Sequence, residues 1–225
     1  MTIYVLSLFP EIVEAYFSAS ILGKAVERGL VRLVSVNIRD FARDRHRSCD
    51  DTPYGGGAGM VLSPEPLGRA LESVSARARR TLYASPSGRR FTQSTAVELA
   101  REEELVFVCG RYEGVDQRII DLYVDDELSI GDYVISSGEL STLVIIDAIY
   151  RLREHVISRE SLEEESFTDG LLEYPHYTRP EVYGGLRVPD VLLSGHHERI
   201  RQWRHLQRLD KTQRFREDLL RSGDM

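Results

Sequence analysis

The sequence predicts an α/β fold, a parallel sheet with helices on both faces, followed by a small C-terminal helical domain. Three observations carry that prediction. Over the first two-thirds of the chain, short apolar runs alternate with stretches of helical periodicity, the rhythm of βαβ units. Loops rich in glycine and polar residues follow several of those runs. From Ser158 the composition turns acidic, then strongly basic.

Taken in order, Thr2 to Leu8 is β-branched and apolar and reads as a buried strand, with Pro10 suited to a helix's first turn. The apolar start, Met1 to Pro10, is short and has no basic residues before it, so a strand is expected rather than a signal peptide. Val31 to Ile38 alternates apolar and polar residues, as a strand with one buried face does. Ser63-Pro64-Glu65 marks a helix start, with Leu67, Ala70, Leu71 and Val74 at helical spacing behind it. Thr81 to Ala84 and Leu105 to Cys109 read as short buried strands separated by a helical stretch, Ser94 to Arg101. Residues 1–157 then form the α/β domain. Ser158 to Pro175 is acidic, carries Gly170, lacks periodicity and reads as an interdomain linker that orders on binding. In residues 176–225, Ser194 is expected to cap a helix running to about Leu209, with a second helix from Lys211.

Composition narrows the function classes. With 42% apolar and 29% charged residues, the chain buries a core without disulfides or metals. Its two cysteines, Cys49 and Cys109, are far apart and form neither a disulfide framework nor a zinc site; both are expected as reduced thiols of a cytoplasmic protein. Asp147 interrupts the most apolar stretch, Leu143 to Ile149, so no membrane partner is expected. The net charge of −7 argues against nucleic acid, but charge placement outweighs the sum. Arg199, Arg201, Arg204, Arg208, Lys211, Arg214 and Arg216 face a single acid, Asp210, and Arg39, Arg43, Arg45 and Arg47 form a second basic cluster. A solvated helix face and phosphate contact explain the first run equally well.

Four loops are richer in glycine and polar residues than a scaffold requires. Asp50 to Met60 holds Gly55, Gly56, Gly57 and Gly59. It matches neither the phosphate loop nor the dinucleotide fingerprint, since no strand leads into it and no Lys-Ser/Thr follows; it reads as a tight structural loop. Tyr83 to Gly88, Cys109 to Gly114 and Ser129 to Glu139 each follow a strand. Ligands of α/β sheets bind outside the carboxyl ends of strands, so these three point to one shared pocket. His176, His196 and His197 lack a third ligand at zinc spacing, so no metal site is expected in the protein.

In combination the motifs resemble the bacterial tRNA (guanine-N1)-methyltransferase family, of the SPOUT class, over nearly the whole chain. The stretches that carry the resemblance are Arg39-Asp40-Phe41, Asp44 to Arg47, Asp51 to Met60, Cys109 to Gly114, Ser129 to Tyr133, Pro175 to Pro180, and Leu193 to His197 with Ile200, Arg201 and Trp203. The resemblance implies a trefoil-knotted sheet that binds S-adenosylmethionine, a homodimer whose active site uses both subunits, assistance from Mg2+, and tRNA rather than DNA as partner. It places the cofactor at Tyr83, Ala84, Ser85 and Pro86; at Gly110, Tyr112 and Glu113; at Ile130, Gly131, Asp132, Tyr133, Val134 and Ile135; and at Gly138 and Leu140. Methylation of guanine N1 needs a base for its proton and a cation for the charge that moves to O6; the family's residues for these fall on Glu165 and Arg151. The RNA contacts are expected at Arg199, Arg201, Arg204, Arg208, Lys211 and Arg214.

Departures from the family pattern accompany the match. Glu165 stands where Asp is usual, which leaves Asp169 as the alternative base. Ser137 and Ser141 stand where Gly and Pro are common; the first is expected to crowd the cofactor and the second to loosen the following helix start. A knotted methyltransferase with another RNA target, or an RNA-binding relative without catalysis, stays open at this level.

Overall fold

The computed structural model describes residues 1–158, 161–162 and 164–221; Glu160 and Glu163 of the acidic stretch lie outside them. The chain divides into two compact units, Met1–Ile157 and Ser158–Met225. The first contains, in order, β1 (Thr2–Ser7), α1 (Pro10–Phe17), α2 (Ser20–Glu27), β2 (Arg32–Asn37), β3 (Asp50–Asp51), β4 (Val61–Leu62), α3 (Pro64–Ser73), β5 (Arg80–Arg90), α4 (Gln93–Leu99), β6 (Glu104–Val108), α5 (Gln117–Tyr123), β7 (Asp126–Ser129) and α6 (Gly138–Tyr150). Five strands form a parallel sheet in the order β2-β1-β6-β5-β7.

Alternation within the strands sends side chains into two cores. Ile3, Val5, Leu105 and Phe107 meet Val13 and Phe17 of α1, Leu22 of α2, Leu99 of α4 and Ile146 and Ile149 of α6. On the opposite face Leu6, Val106 and Val108 meet Leu67, Ala70 and Leu71 of α3 and Ile119 of α5. The sheet therefore carries helices on both faces, as predicted. Pro10 does open α1, and Ser63 precedes α3, although its side chain makes no capping bond. β2 lies at the sheet's edge and is only partly buried along its length, so the single buried face expected of it is diluted.

Three features of this unit differ from expectation. β5 does not end at Ala84 but continues to Arg90, and its pairing with β7 slips between Ala84 and Arg89. Ser85 to Gly88 is thus an excursion within a strand. Gly88 permits it, because a Cβ there would collide with the backbone of Glu127 and Leu128. Second, a two-residue strand, β3, does lead into the first glycine-rich loop and pairs antiparallel with β4. Third, β7 has two acids among its four residues, so its hydropathy hides it. Asp126 is held by Arg80 (2.7 Å) and Arg89 (3.0 Å), and Glu127 accepts from Ser87 (3.1 Å).

The second unit contains a two-strand hairpin, β8 (Val182–Tyr183) and β9 (Leu186–Arg187), then α7 (Asp190–Leu193), α8 (His197–Phe215) and α9 (Glu217–Arg221). Ser194 does not start the long helix. It terminates α7, its hydroxyl bonding back to Val191 O (2.7 Å), and Gly195 at φ +70° turns the chain before α8 begins. Nor is there a break at Lys211, which lies inside α8. Residues 209–212 contain no Gly or Pro; Asp210 pairs with Arg214 one turn on (3.0 Å), and buried Thr212 bonds back to Arg208 O (2.7 Å). The irregular residues 164–175 dock on α8 through Leu172 N to Thr212 Oγ1 (2.9 Å) and through Tyr174, which donates to Glu164 (2.6 Å) beneath the Arg204 guanidinium. Among the described residues no helix is long and apolar enough to cross a membrane.

The crowding at Gly88 sets an expectation for Gly88→Ala. The methyl group pushes β5 off β7, so thermal denaturation should show a loss of about 1–3 kcal/mol, the usual size of an overpacking strain. An unchanged midpoint would mean that the excursion yields freely.

Candidate active site

Because β5 lies between β6 and β7, the carboxyl ends of three strands stand side by side, and the loops leaving them converge. They enclose a cleft of about 300 Å³, at the small end of ligand pockets. Every residue expected around the cofactor lines it except Asp132 and Leu140. Leu140 points away, half exposed one turn from Val144 on the outer face of α6. The cleft also takes in Arg111, Gly114, Leu128, Ser129, Ser136, Ser137 and Ser141. All of these but Leu128 and Ser141 lie inside the three glycine-rich loops that follow strands. Among the described residues Arg111 is its one basic lining residue and Glu113 its one acid.

Several backbone positions can be met only by small residues. Gly138 N donates to Gly110 O (3.0 Å), and a Cβ on Gly138 would run into the backbone of Cys109 and Gly110. A Cβ on Gly110 would strike the Tyr83 ring. The loop after β6 is shored up from behind by the first glycine-rich loop. Glu113 N donates to Met60 O (2.9 Å), Leu62 N donates to Gly114 O (2.9 Å), and bare Gly59 leaves space for the Glu113 side chain.

Behind the cleft wall lies Glu139, fully buried in the first turn of α6. It accepts hydrogen bonds from Ser7 Oγ (2.5 Å) and Ser137 Oγ (2.7 Å), and Arg111 Nε lies 3.2 Å from its Oε2. That last contact is out of line for a hydrogen bond, so it is Coulombic. Arg111 also donates to Ser136 O (3.1 Å) and stacks on the Phe9 ring at 4.5 Å. Ser137 turns its hydroxyl into the wall toward Glu139, and Ser141 bonds back to Gly138 O (2.9 Å), closing the helix's first turn.

Residues 1–222 match the family described as tRNA (Guanine-1)-methyltransferase TrmD. The chain belongs to that family. It is 64% identical to a tRNA (guanine-N(1)-)-methyltransferase of Treponema denticola, over 96% of this chain and 89% of the relative. Proteins of the same name from Borrelia hermsii (56%; 97% and 92% covered) and Treponema pallidum (57%; 98% and 88%) are similarly close.

The tRNA (guanine-1)-methyltransferase family uses S-adenosylmethionine, and the cleft fits it. Bare backbone at Gly110 and Gly138, apolar Leu128, Ile130 and Val134, and the carboxylate of Glu113 suit a molecule with a flat base, a hydroxylated ribose and a charged tail.

Arg151, expected to meet the charge on O6, does not line this cleft. Arg151 caps the carboxyl end of α6, whose amino end forms the cleft wall. Thirteen residues at ~1.5 Å each separate the two ends by about 20 Å. Beside Arg151, Tyr16 donates to Asp147. Burial, with Asp147 nearby, pushes the Tyr150 hydroxyl up to about 12. In the second unit Glu165 is partly buried and lies in a run of turns. Asp169 is clamped by Arg208 at both oxygens, one contact at 2.9 Å. That hydrogen bonding holds its carboxyl below the ordinary aspartate range, which makes it a poor base. Arg208 is itself nearly enclosed. Of the other basic residues of α8, Arg201 pairs with Glu198 (2.6 Å), Arg204 with Glu164 (3.3 Å) and Arg214 with Asp210. His176 bonds to Glu173, and no cluster of three metal-ligating side chains occurs among the described residues.

The Asp169–Arg208 clamp has a pH signature. Its stabilisation is complete above the unfolded aspartate value near ~4 and lost as pH falls through the lower folded value. Amide protection factors of residues 164–175, taken relative to intrinsic exchange at each pH, should fall on acidification in the wild type. In Asp169→Asn they should already be low at pH 7 and less pH-dependent. Identical profiles would remove the clamp from the account.

Proposed function

We propose that the protein transfers a methyl group from S-adenosylmethionine to N1 of the guanine immediately 3′ of the anticodon of tRNA. The observation that carries this reading is the meeting of three strand-end loops in one glycine-floored cleft, in a chain of this family. The close crossing of Gly138 over Gly110 supports the knotted arrangement the family implies. S-adenosylmethionine, when bound, supplies an activated methyl group.

The protein's own residues handle the proton and the charge. Guanine N1 carries a proton at neutral pH, and Glu165 accepts it. The charge that then develops on O6 is met by Arg151, whose guanidinium stays protonated throughout. Asp169, bound to Arg208, is the weaker candidate for the base. Arg151 is too far along α6 to serve the cleft of its own copy, so a second copy supplies it. The exposed Leu140 and Val144 on α6 support such a homodimer. The target base must leave its stack to be reached. Residues 176–225 bind the tRNA, and Mg2+ assists. The tRNA substrate assigns the protein to the cytoplasm.

Two experiments test this. Methyl transfer from labelled S-adenosylmethionine to unmodified tRNA should place the label in 1-methylguanosine. Glu165→Gln and Arg151→Ala should each be slower by roughly 100-fold or more, with Asp169→Asn less affected. Label in another nucleoside would overturn the substrate, and an Asp169→Asn loss exceeding that of Glu165→Gln would reassign the base. Separately, tRNA affinity should fall with salt, and replacing Arg199, Arg201 and Lys211 together should flatten that slope by roughly one unit per lost phosphate contact. An unchanged slope would take these residues out of the RNA interface.

A further inference from the structure

We propose that Glu139 is the residue that makes the cleft tolerate a sulfonium cation, by cancelling the charge of Arg111; the inference rests on S-adenosylmethionine being the bound methyl donor. The donor carries a fixed positive charge at sulfur, and the demethylated product, S-adenosylhomocysteine, carries none there. Among the described residues the cleft that receives them has one cationic side chain in its lining, Arg111. Left alone in partly desolvated surroundings, that guanidinium repels the donor's sulfonium but not the product's thioether.

The structure supplies the compensation behind the wall. Glu139 is fully buried, and its carboxylate lies 3.2 Å from Arg111 Nε. Its carboxylate accepts from the hydroxyls of Ser7 and Ser137 and lies in the first turn of α6, the positive end of the helix dipole. Arg111 cannot swing clear, since it is also held by Ser136 O and the Phe9 ring. The pair is therefore close to neutral as seen from the cleft. Among the described residues Glu113 is then the one uncompensated charge in the lining, and its sign favours the cation.

The experiment is calorimetric binding of S-adenosylmethionine and S-adenosylhomocysteine to the full chain without tRNA. In Glu139→Gln the Kd for the donor should rise relative to that for the product by roughly five- to twenty-fold, the Coulomb effect of one unit charge at about 10 Å. In Arg111→Met the ratio should move the opposite way, toward the donor. The double variant should return it to near the wild-type value. Arg111→Met carries the test alone if Glu139→Gln fails to fold. A purely structural role moves both ligands together and leaves the ratio constant in every variant, which would overturn the proposal. Wild-type protein that binds neither ligand would instead refute the cofactor reading on which it rests.

Discussion

A single buried carboxylate holds the parts of the candidate site in register. Glu139 belongs to α6, yet its partners come from the end of β1 (Ser7), the loop after β6 (Arg111) and the loop after β7 (Ser137). Ser7 also accepts from Phe9 N (2.8 Å), and Phe9 lies under Arg111, so the contacts close into a ring. A buried ion pair adds little net stability, because desolvation offsets most of its attraction. What it does supply is an exclusive geometry. Removing one member leaves the others as buried polar groups without partners, and that is far more costly than the pair is favourable. The loops are thus fixed relative to the sheet without a large apolar contact of their own.

Glycine performs the complementary task on the other side of the wall. Where Glu139 pulls α6 toward the sheet, Gly138 and Gly110 allow the two backbones to touch. Attraction without clearance would leave the helix end standing off, and clearance without attraction would leave the loops loose. The two residues that combine these roles, Gly138 and Glu139, are consecutive in the chain.

Much of the scaffold is legible in the sequence because its cause is local. β1, β6 and α3 announce themselves by hydropathy, since Ile3, Leu105 and Leu67 recur at the spacing their elements require. β7 does not, because Asp126 is stabilised by arginines from β5 and Glu127 by Ser87, partners that no local reading can supply. The three site loops were individually visible as glycine-rich ends of strands. Their convergence was only inferable, because it depends on β5 lying between β6 and β7. Glu139 gave no signal at all, since a glutamate in a polar run reads as solvated. Arg151 is close to the cleft residues in sequence, but a straight helix turns that nearness into distance.

The long helix of the second unit is one piece where two were expected, and continuity changes what it can do. Thr212 and the Asp210–Arg214 pair run it through the place where a joint was expected. From Arg199 to Arg214 the cationic side chains therefore sit on a rod about 22 Å long, with intervals fixed by the helical repeat. Two hinged segments could shape themselves to a partner; a rod acts as a ruler. Whatever binds along α8 has to bring its own charges to that spacing, and any bending needed for a match falls on the partner.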